Sequence, residues 1–330
     1  MNTAPHVALL GQGYAIPDLI RGNDAPIFDW LKANSPSGTD LFNGLKFRRV
    51  LPKAEGVIDI MVSACQHAMN EAGIQSDQVD MLLGAGSVSE YIAPNNLAVV
   101  HQQLGLPRHC RVMPLNTDYS TFEDGLRLAT DLVRCGTIRH ALVACGNNWT
   151  HYVDYHEPVS LAASDGAGAA VVGHSHAPHL FRLVDWENET QTRWYGAFRM
   201  AAREQAPGLY SKPLMKLDDQ TGQLAFKEFG LKVAPEVVNR LLARHGLSGQ
   251  DITLIAHQTS KTVEDAWQAA IQPAHYISTL EEYGDMVSSS VPVNLAKRHA
   301  EIRTNKLVLL GIGMEMHATA LLLERGQPGA

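Results

Sequence analysis

The sequence predicts an α/β protein built from two halves that follow one plan. Three observations carry this prediction: a short internal repeat, an amphipathic helix before each copy, and apolar strands in and after each copy. The repeat aligns Gly73–Leu82 (GIQSDQVDML) with Gly246–Ile255 (GLSGQDITLI) without a gap. Because the match holds both in residue type and in chain order, a duplicated architecture explains it better than chance does.

Apolar residues recur at helical spacing before each copy. The segments are VIDIMVSACQHAMNEA and LKVAPEVVNRLLARH, and in both the apolar positions lie three or four residues apart. Each copy ends in a short strand. A second strand follows at His140–Gly146 in the first half and at Lys306–Gly313 in the second half. Continuous apolar runs of this length that alternate with helices are typical of central strands covered on both faces.

A glycine-rich segment, Ser164–Gly173 (SDGAGAAVVG), lies between the halves. It contains a GxG but no strand–GxGxxG–helix unit, so we predict a tight turn and close backbone packing, not a dinucleotide site. Residues 1–173 are predicted to form the N-terminal half and residues 174–330 the C-terminal half. The polar stretch at about 185–226 is expected to be an irregular insertion loop near the mouth of an active site.

Composition excludes several classes of function. A formal net charge of −7 over 330 residues argues against a dominant role in nucleic-acid binding, which would need a basic face. The longest apolar runs, such as Leu307–Ile312, are too short to cross a membrane, and Met1–His6 shows no signal peptide, so a cytoplasmic protein is expected. The four cysteines form no CxxC pair and the 15 histidines are scattered, so no metal site is expected.

Eight segments, taken in chain order, resemble the β-ketoacyl-ACP synthase III branch of the thiolase superfamily. They are GQGYAIPD (Gly11–Asp18), FDWL with Trp30, NGLKFRRVL (Asn43–Leu51), SDGAGAAVVG (Ser164–Gly173), GQLAFKEFGLKVAPEVV (Gly222–Val238), AHQTS (Ala256–Ser260), YGDMVSSSVP (Tyr283–Pro292) and GIGMEMHATALLL (Gly311–Leu323). The resemblance spans nearly the whole chain. It implies a thiolase fold, in which two pseudo-duplicated halves form layers in the order α-β-α-β-α.

The resemblance also implies a chemistry. In that family an acyl group passes from CoA or acyl carrier protein to a cysteine at the start of a buried helix, whose N-terminus lowers the thiol pKa. A histidine and an asparagine then assist condensation with a malonyl thioester. The resemblance implies a homodimer or heterodimer without a permanently bound cofactor, acting on acyl-CoA or acyl-ACP phosphopantetheine in fatty-acid, polyketide or other secondary metabolism.

The segment that matches the family's nucleophile lacks the cysteine. Counting from Phe122, Leu126 and Gly136 puts Tyr119 in the cysteine position. A phenol with an ordinary pKa of about 10 is a poor acyl acceptor at neutral pH. The neighbouring Ser120 is a second candidate nucleophile if a base activates it, although serine is equally suited to cap the helix.

Two further polar residues match family positions. His257 matches the family's histidine and follows a buried strand, where catalytic groups collect in open α/β sheets. Asp285 replaces the asparagine, and an ionised aspartate only accepts hydrogen bonds. We therefore expect Asp285 to orient His257 and to favour its protonated form. The alternatives are a structural buried histidine and an aspartate that caps the next turn.

The resemblance assigns Gly313 and Glu315 to the closing turn, which contributes to the oxyanion site. Glu315 stands where the family has a further glycine, and a carboxylate would disfavour an oxyanion nearby, so it is expected to point away or to bind a cation. The resemblance also assigns Trp30 and Phe122 to substrate binding.

Together these residues favour a ketosynthase III-like acyltransferase without a cysteine nucleophile. It would move an acyl group from an ACP or CoA thioester to a small-molecule acceptor, with His257 as general base. The alternative is a catalytically degenerate subunit in which Tyr119 plugs the acyl tunnel and which pairs with a cysteine-bearing homologue. Condensation without a covalent intermediate ranks last, because the oxyanion donors are altered.

Overall fold

The computed structural model of the chain describes residues 5–53, 55–202, 204–218 and 220–326. Over these residues most of the chain is built from strands and helices in alternation. The strands are β1 (His6–Ala15), β2 (Leu19–Gly22), β3 (Phe47–Val50), β4 (Met81–Gly86), β5 (Arg111–Pro114), β6 (His140–Asn147), β7 (Gly166–Ser175), β8 (Arg182–Thr190), β9 (Phe198–Ala201), β10 (Glu204–Ala206), β11 (Leu209–Tyr210), β12 (Leu214–Leu217), β13 (Ile252–Ala256), β14 (His275–Ile277), β15 (Lys306–Gly313) and β16 (His317–Glu324).

Two five-stranded sheets in the described chain repeat one topology. Their orders are β1–β7–β6–β4–β5 and β8–β16–β15–β13–β14. In the first, β4 pairs in parallel with β5 and β6, whereas β7 pairs antiparallel with β6 and β1. In the second, β13 pairs in parallel with β14 and β15, whereas β16 pairs antiparallel with β15 and β8. Strand order and direction therefore correspond, as the internal repeat predicts.

The helices complete five layers in the order α-β-α-β-α. They are α1 (Asp29–Asn34), α2 (Val57–Ala72), α3 (Leu97–Gln103), α4 (Thr121–Arg134), α5 (Thr221–Ala225), α6 (Val233–Arg244), α7 (Lys261–Ile271), α8 (Leu280–Tyr283) and α9 (Ser290–Lys297). α2 packs on the outer face of the first sheet and α6 on that of the second, while α4 and α9 lie between the sheets. Within the described part of the chain, no helix combines the length and apolar character needed to span a bilayer.

The central strands are apolar on both faces because each face meets a helix layer. Leu82 and Leu142 pack under α2, whereas Leu83 and Val143 belong to the core between the sheets. This alternation explains why the strands appear in the sequence as continuous apolar runs. α2 ends at Gly73, whose φ of +66° is the left-handed conformation in which glycine commonly closes a helix.

The prediction of an irregular loop at 185–226 is wrong. The segment contains most of β8, an edge strand of the second sheet, and two short ribbons in which β9 pairs with β12 and β10 with β11. β8 is polar because its Asp185, Glu187 and Glu189 side chains form ion pairs with Arg240 and Arg244 of α6. Polar composition therefore marks an edge strand here and not an unstructured loop.

Truncation of a central core side chain tests the layer assignment. Leu126 of α4 is 2% exposed and packs in the core between the sheets. We expect Leu126→Ala to lower the free energy of unfolding by about 2–5 kcal/mol, because it leaves a cavity that the layers cannot close. Leu224 of α5 is 52% exposed, and Leu224→Ala should change stability by no more than about 0.5 kcal/mol. Equal shifts in the two denaturant midpoints would contradict the arrangement.

Candidate active site

A cavity of about 380 Å³ lies where β13 and β15 end. Most of its wall is apolar, and one end carries the polar residues Tyr119, His257 and Asp285. A π-helical turn at Phe226–Gly230 brings two phenylalanines into the wall, a kind of irregularity that recurs at functional sites. The apolar lining includes Leu41, Leu45, Leu161, Phe198, Met215, Leu217, Phe226, Phe229, Ile312 and Met316.

Tyr119 enters the cavity from the turn that leads into α4. The turn begins at Asp118, whose φ of +54° directs the chain into the helix. The Tyr119 ring lies 4.3 Å from the His257 ring and 5.4 Å from the Trp149 ring, centroid to centroid. Burial, followed by the nearby Asp285 and Asp118 carboxylates, raises the pKa of Tyr119 well above its ordinary value, so the phenol is neutral.

His257 lies at the carboxyl end of β13. Its backbone N–H donates to the Leu310 carbonyl at 2.8 Å, which fixes the residue to β15. The side chain is fully buried, and neither ring nitrogen forms a hydrogen bond with a described residue. Burial lowers the pKa of His257 to about 3. A contact with the Val287 backbone, too poor in geometry to count as a full hydrogen bond, opposes this shift only in part. The imidazole is therefore neutral at physiological pH, with a ring nitrogen free to accept a proton.

The Asp285 backbone is pinned between two neighbours. Its N–H donates to the Ala162 carbonyl at 2.7 Å, and its carbonyl accepts from the Ser164 N–H at 2.9 Å. The buried Gln258 side chain donates to the Gly284 carbonyl at 2.7 Å, which holds the preceding residue. The carboxyl accepts from the Val287 N–H at 2.8 Å. Burial nevertheless raises the pKa of Asp285 to about 7, against that hydrogen bond.

The structure brings Tyr119, His257 and Asp285 together but does not join the last two by a hydrogen bond. The His257 Nε2 atom lies 4.0 Å from the Asp285 Oδ1 atom, beyond hydrogen-bond distance. The expectation that Asp285 favours the protonated imidazole also fails, because desolvation lowers the His257 pKa and raises that of the carboxyl. At pH 7 the imidazole is therefore neutral and about half of the Asp285 carboxyl is protonated.

Ser120 lies next to Tyr119 in the chain, but its side chain does not line the cavity. Its hydroxyl lies 2.7 Å from His317 Nε2 and donates at 3.0 Å to the Asp124 carboxylate. The structure therefore does not place Ser120 beside His257, where a nucleophile served by that base would have to be. The residue occupies the N-cap position of α4, yet its side chain forms no capping hydrogen bond.

Two residues that contact the Ser120 hydroxyl were not predicted from the sequence. They are His317 and Asp124. The Asp124 carboxylate also accepts from the Thr319 hydroxyl at 3.1 Å, so the first turn of α4 is fastened to β16. Burial alone would raise the pKa of Asp124, but hydrogen bonds from His317, Thr117 and Ser120 hold it below its ordinary value. The available signals were an aspartate one helical turn after Ser120 and a histidine at the start of an apolar strand.

The closing turn is divided between the cavity and the exterior. Gly313 lines the cavity and packs against the His317 ring so closely that an added Cβ would lie 2.1 Å from Cε1. The Glu315 side chain is 52% exposed, does not line the cavity and lies 3.9 Å from His317 Nδ1. Glu315 therefore lies outside the cavity wall, and its carboxylate is within ion-pair distance of His317, so neither expected outcome is excluded.

The predicted substrate contacts of Trp30 and Phe122 are absent from the cavity wall. Phe122 is fully buried in the core between the sheets, because it lies on the face of α4 that the two sheets enclose. Trp30 is half-exposed and packs edge-on against His156, with ring centroids 4.7 Å apart. Neither residue therefore contributes to the wall of this cavity, and substrate binding by them stays a prediction.

None of the four cysteines, all of which lie in the described ranges, lines the cavity. Cys65, Cys110 and Cys145 are buried elsewhere, and Cys135 is exposed. Burial raises the pKa of the Cys65 thiol to about 12, which makes it unreactive. In the described ranges, no group of three His, Cys, Asp or Glu side chains is arranged to hold a metal ion.

Comparison with known proteins agrees with this architecture. The profile of 3-oxoacyl-[acyl-carrier-protein (ACP)] synthase III matches residues 113–191, and that of its C-terminal domain matches residues 242–325. The β-ketoacyl-[acyl-carrier-protein] synthase III of Laribacter hongkongensis is 25% identical over 322 residues, which cover 94% of this chain and 96% of the relative. The chain is a β-ketoacyl-ACP synthase III-like protein.

Solved structures share the thiolase fold. The priming β-ketosynthase of the R1128 polyketide biosynthetic pathway superposes with a TM-score of 0.84 at 21% identity, over 99% of both chains. A variant of OleA from Xanthomonas campestris, solved with bound lauric acid and lauroyl-CoA, gives 0.84 at 19% identity, over 98% of this chain and 100% of that one. The synthase III-like protein therefore keeps the fold of condensing enzymes around a cavity that contains a phenol.

The stabilising role of Asp124 predicts a pH-dependent effect of its removal. The pKa of Asp124 is lower in the folded protein than its ordinary value of about 3.9, so its contribution to the free energy of unfolding is complete above that value. The contribution is lost as the pH falls through the lower folded pKa. We expect Asp124→Asn to cost roughly 1–3 kcal/mol at neutral pH, and the deficit to shrink below pH of about 4. Denaturant titrations across this range measure it, and a deficit independent of pH would contradict the charge-assisted network.

Proposed function

We propose that this synthase III-like protein transfers an acyl group from a CoA or ACP thioester to a small-molecule acceptor without a covalent acyl-enzyme. Its relatives are synthase III enzymes, which supports an acyl-transferring or condensing activity. The proposal rests above all on His257, a neutral imidazole whose ring nitrogens are unpartnered among the described residues and which faces an apolar cavity. The lauroyl-CoA bound by the OleA variant is the type of donor that such a cavity would hold.

In this proposal His257 acts as the general base. Its free nitrogen takes the proton of an acceptor hydroxyl or amine in the same step in which the acceptor attacks the thioester carbonyl carbon, because so weak a base cannot remove that proton beforehand. A tetrahedral oxyanion forms, the carbon–sulfur bond breaks, and the imidazolium returns its proton to the leaving thiolate. Direct transfer is preferred to a Ser120 acyl-enzyme because the Ser120 hydroxyl is held by His317 and Asp124 outside the cavity wall.

A degenerate partner subunit is the second candidate function. The observation that favours it is the Tyr119 ring, which packs against His257 in the position where the family resemblance puts a cysteine. In that case the cytoplasmic protein would act as a heterodimer with a cysteine-bearing homologue, and the cavity would be vestigial.

Incubation with panels of acyl-CoA and acyl-ACP thioesters and acceptor alcohols and amines tests the first candidate. We expect an acylated acceptor without a protein adduct, loss of this product in His257→Ala, and its persistence in Ser120→Ala, with intact mass and product mass as the readouts. An acyl adduct that disappears in Ser120→Ala would contradict direct transfer. Absence of product from the purified chain, together with co-purification of a cysteine-bearing homologue, would favour the partner role.

Restoring a thiol tests whether the cavity can still receive a thioester. Tyr119→Cys places a thiol at the start of α4 beside the neutral His257, so we expect an acyl adduct by intact mass after incubation with acyl-CoA. Ser120→Cys is the matched control, because its thiol would face His317 outside the cavity and should remain unacylated. Equal labelling of the two variants would show that the placement of these side chains is wrong.

A further inference from the structure

Three polar side chains at one end of the cavity lack protein partners that would satisfy them. Tyr119 lines the cavity without a hydrogen bond from its hydroxyl to a described residue. Neither ring nitrogen of the buried His257 has a partner of full hydrogen-bond geometry there, apart from the weaker contact with the Val287 backbone. Among the described residues, the Asp285 carboxyl accepts one hydrogen bond, from the Val287 N–H to Oδ1. Buried polar groups are normally paired, so an unpaired set in an apolar cavity points to a ligand that completes it.

We infer that the Tyr119 hydroxyl and the Asp285 carboxyl form a donor pair that binds the carbonyl or enolate oxygen of a ligand with an apolar body. The inference deepens the proposed function, since the thioester carbonyl is such a ligand and becomes an oxyanion during transfer. His257 then keeps its free nitrogen for the acceptor proton. The same pair would bind any planar apolar compound that presents one anionic oxygen, whether or not the chain transfers acyl groups.

The protonation states allow both groups to donate. Burial keeps the Tyr119 phenol neutral, and burial raises the pKa of Asp285 to about 7, so the carboxyl carries a proton below that pH. A neutral carboxylic acid donates a hydrogen bond, which an ionised aspartate cannot do. A tyrosine and a protonated aspartic acid in an apolar site are an established combination for holding an oxyanion. In such a site these hydrogen bonds are stronger than in water.

Other titratable groups surround the pair, so a pH profile alone would not identify Asp285. Asp118 and Glu315 lie on the Tyr119 side, and burial together with the Glu315 charge raises the pKa of Asp118 to about 7 as well. Asp40 and Lys261 also line the cavity, in addition to His257. Only an aspartate variant that donates at every pH separates the contribution of Asp285 from that of Asp118.

The test uses 4-nitrophenol, whose ionised form absorbs in the visible, as a probe of oxyanion binding that needs no turnover. We expect the wild-type chain to bind the phenolate selectively just below neutral pH. Tyr119→Phe and Asp285→Leu should each weaken binding roughly tenfold or more, since each removes one hydrogen bond to a charged oxygen. Asp285→Asn should bind within about threefold of wild type and should not weaken above pH 7, because an amide donates at every pH.

The exposed Tyr195 provides the matched control, and Tyr195→Phe should bind the probe as the wild type does. Thermal unfolding of each variant confirms that it is folded. Absence of phenolate binding by the wild type, unchanged binding in Tyr119→Phe and Asp285→Leu, or an Asp285→Asn variant as weak as Asp285→Leu would each overturn the inference. Phenolate binding without acyl transfer to any acceptor would instead reject the proposed function and leave the donor pair intact.

Discussion

The enclosure of helix α4 between the two sheets is the constraint on which the site depends. Phe122 and Leu126 anchor the helix in the central core, and the Asp124–His317 contact fastens its first turn to β16. Because the helix is fixed from two sides, Tyr119, the residue before Ser120, packs against the His257 ring. A phenol therefore lies at the start of this helix, where the family resemblance predicts a cysteine.

Desolvation then decides the chemistry of the groups that meet there. An imidazole and a carboxyl 4.0 Å apart in water would favour each other's charged forms, but here burial shifts both pKa values toward neutrality. A neutral base, a neutral acid and a neutral phenol in an apolar cavity suit a reaction in which charge develops on the ligand. In the inferred donor pair, a protonated Asp285 would donate a hydrogen bond where the family resemblance predicts an asparagine.

Much of the fold follows from sequence patterns, because the repeat and the apolar runs report burial on both sheet faces directly. Three members of the site, Tyr119, His257 and Asp285, were found because motifs align them with the family. The sequence could not reveal the Ser120–His317 contact, which joins residues 197 apart and depends on how α4 sits over β16. Nor could it reveal that β8 is a strand, because the side chains that form ion pairs with α6 are charged. It also could not reveal that Phe122 faces the core and not the cavity.

The central claim is that the cavity holds an uncharged histidine that forms no hydrogen bond with Asp285. Nitrogen-15 NMR of the imidazoles, with His257 assigned by comparison with a His257→Gln variant, tests it most directly. The account predicts that the His257 ring stays neutral throughout a titration from pH 8 to about pH 5, since its pKa is about 3. Protonation of His257 with a midpoint near its ordinary pKa of about 6.5 would show instead a charged pair with Asp285 and would contradict the account.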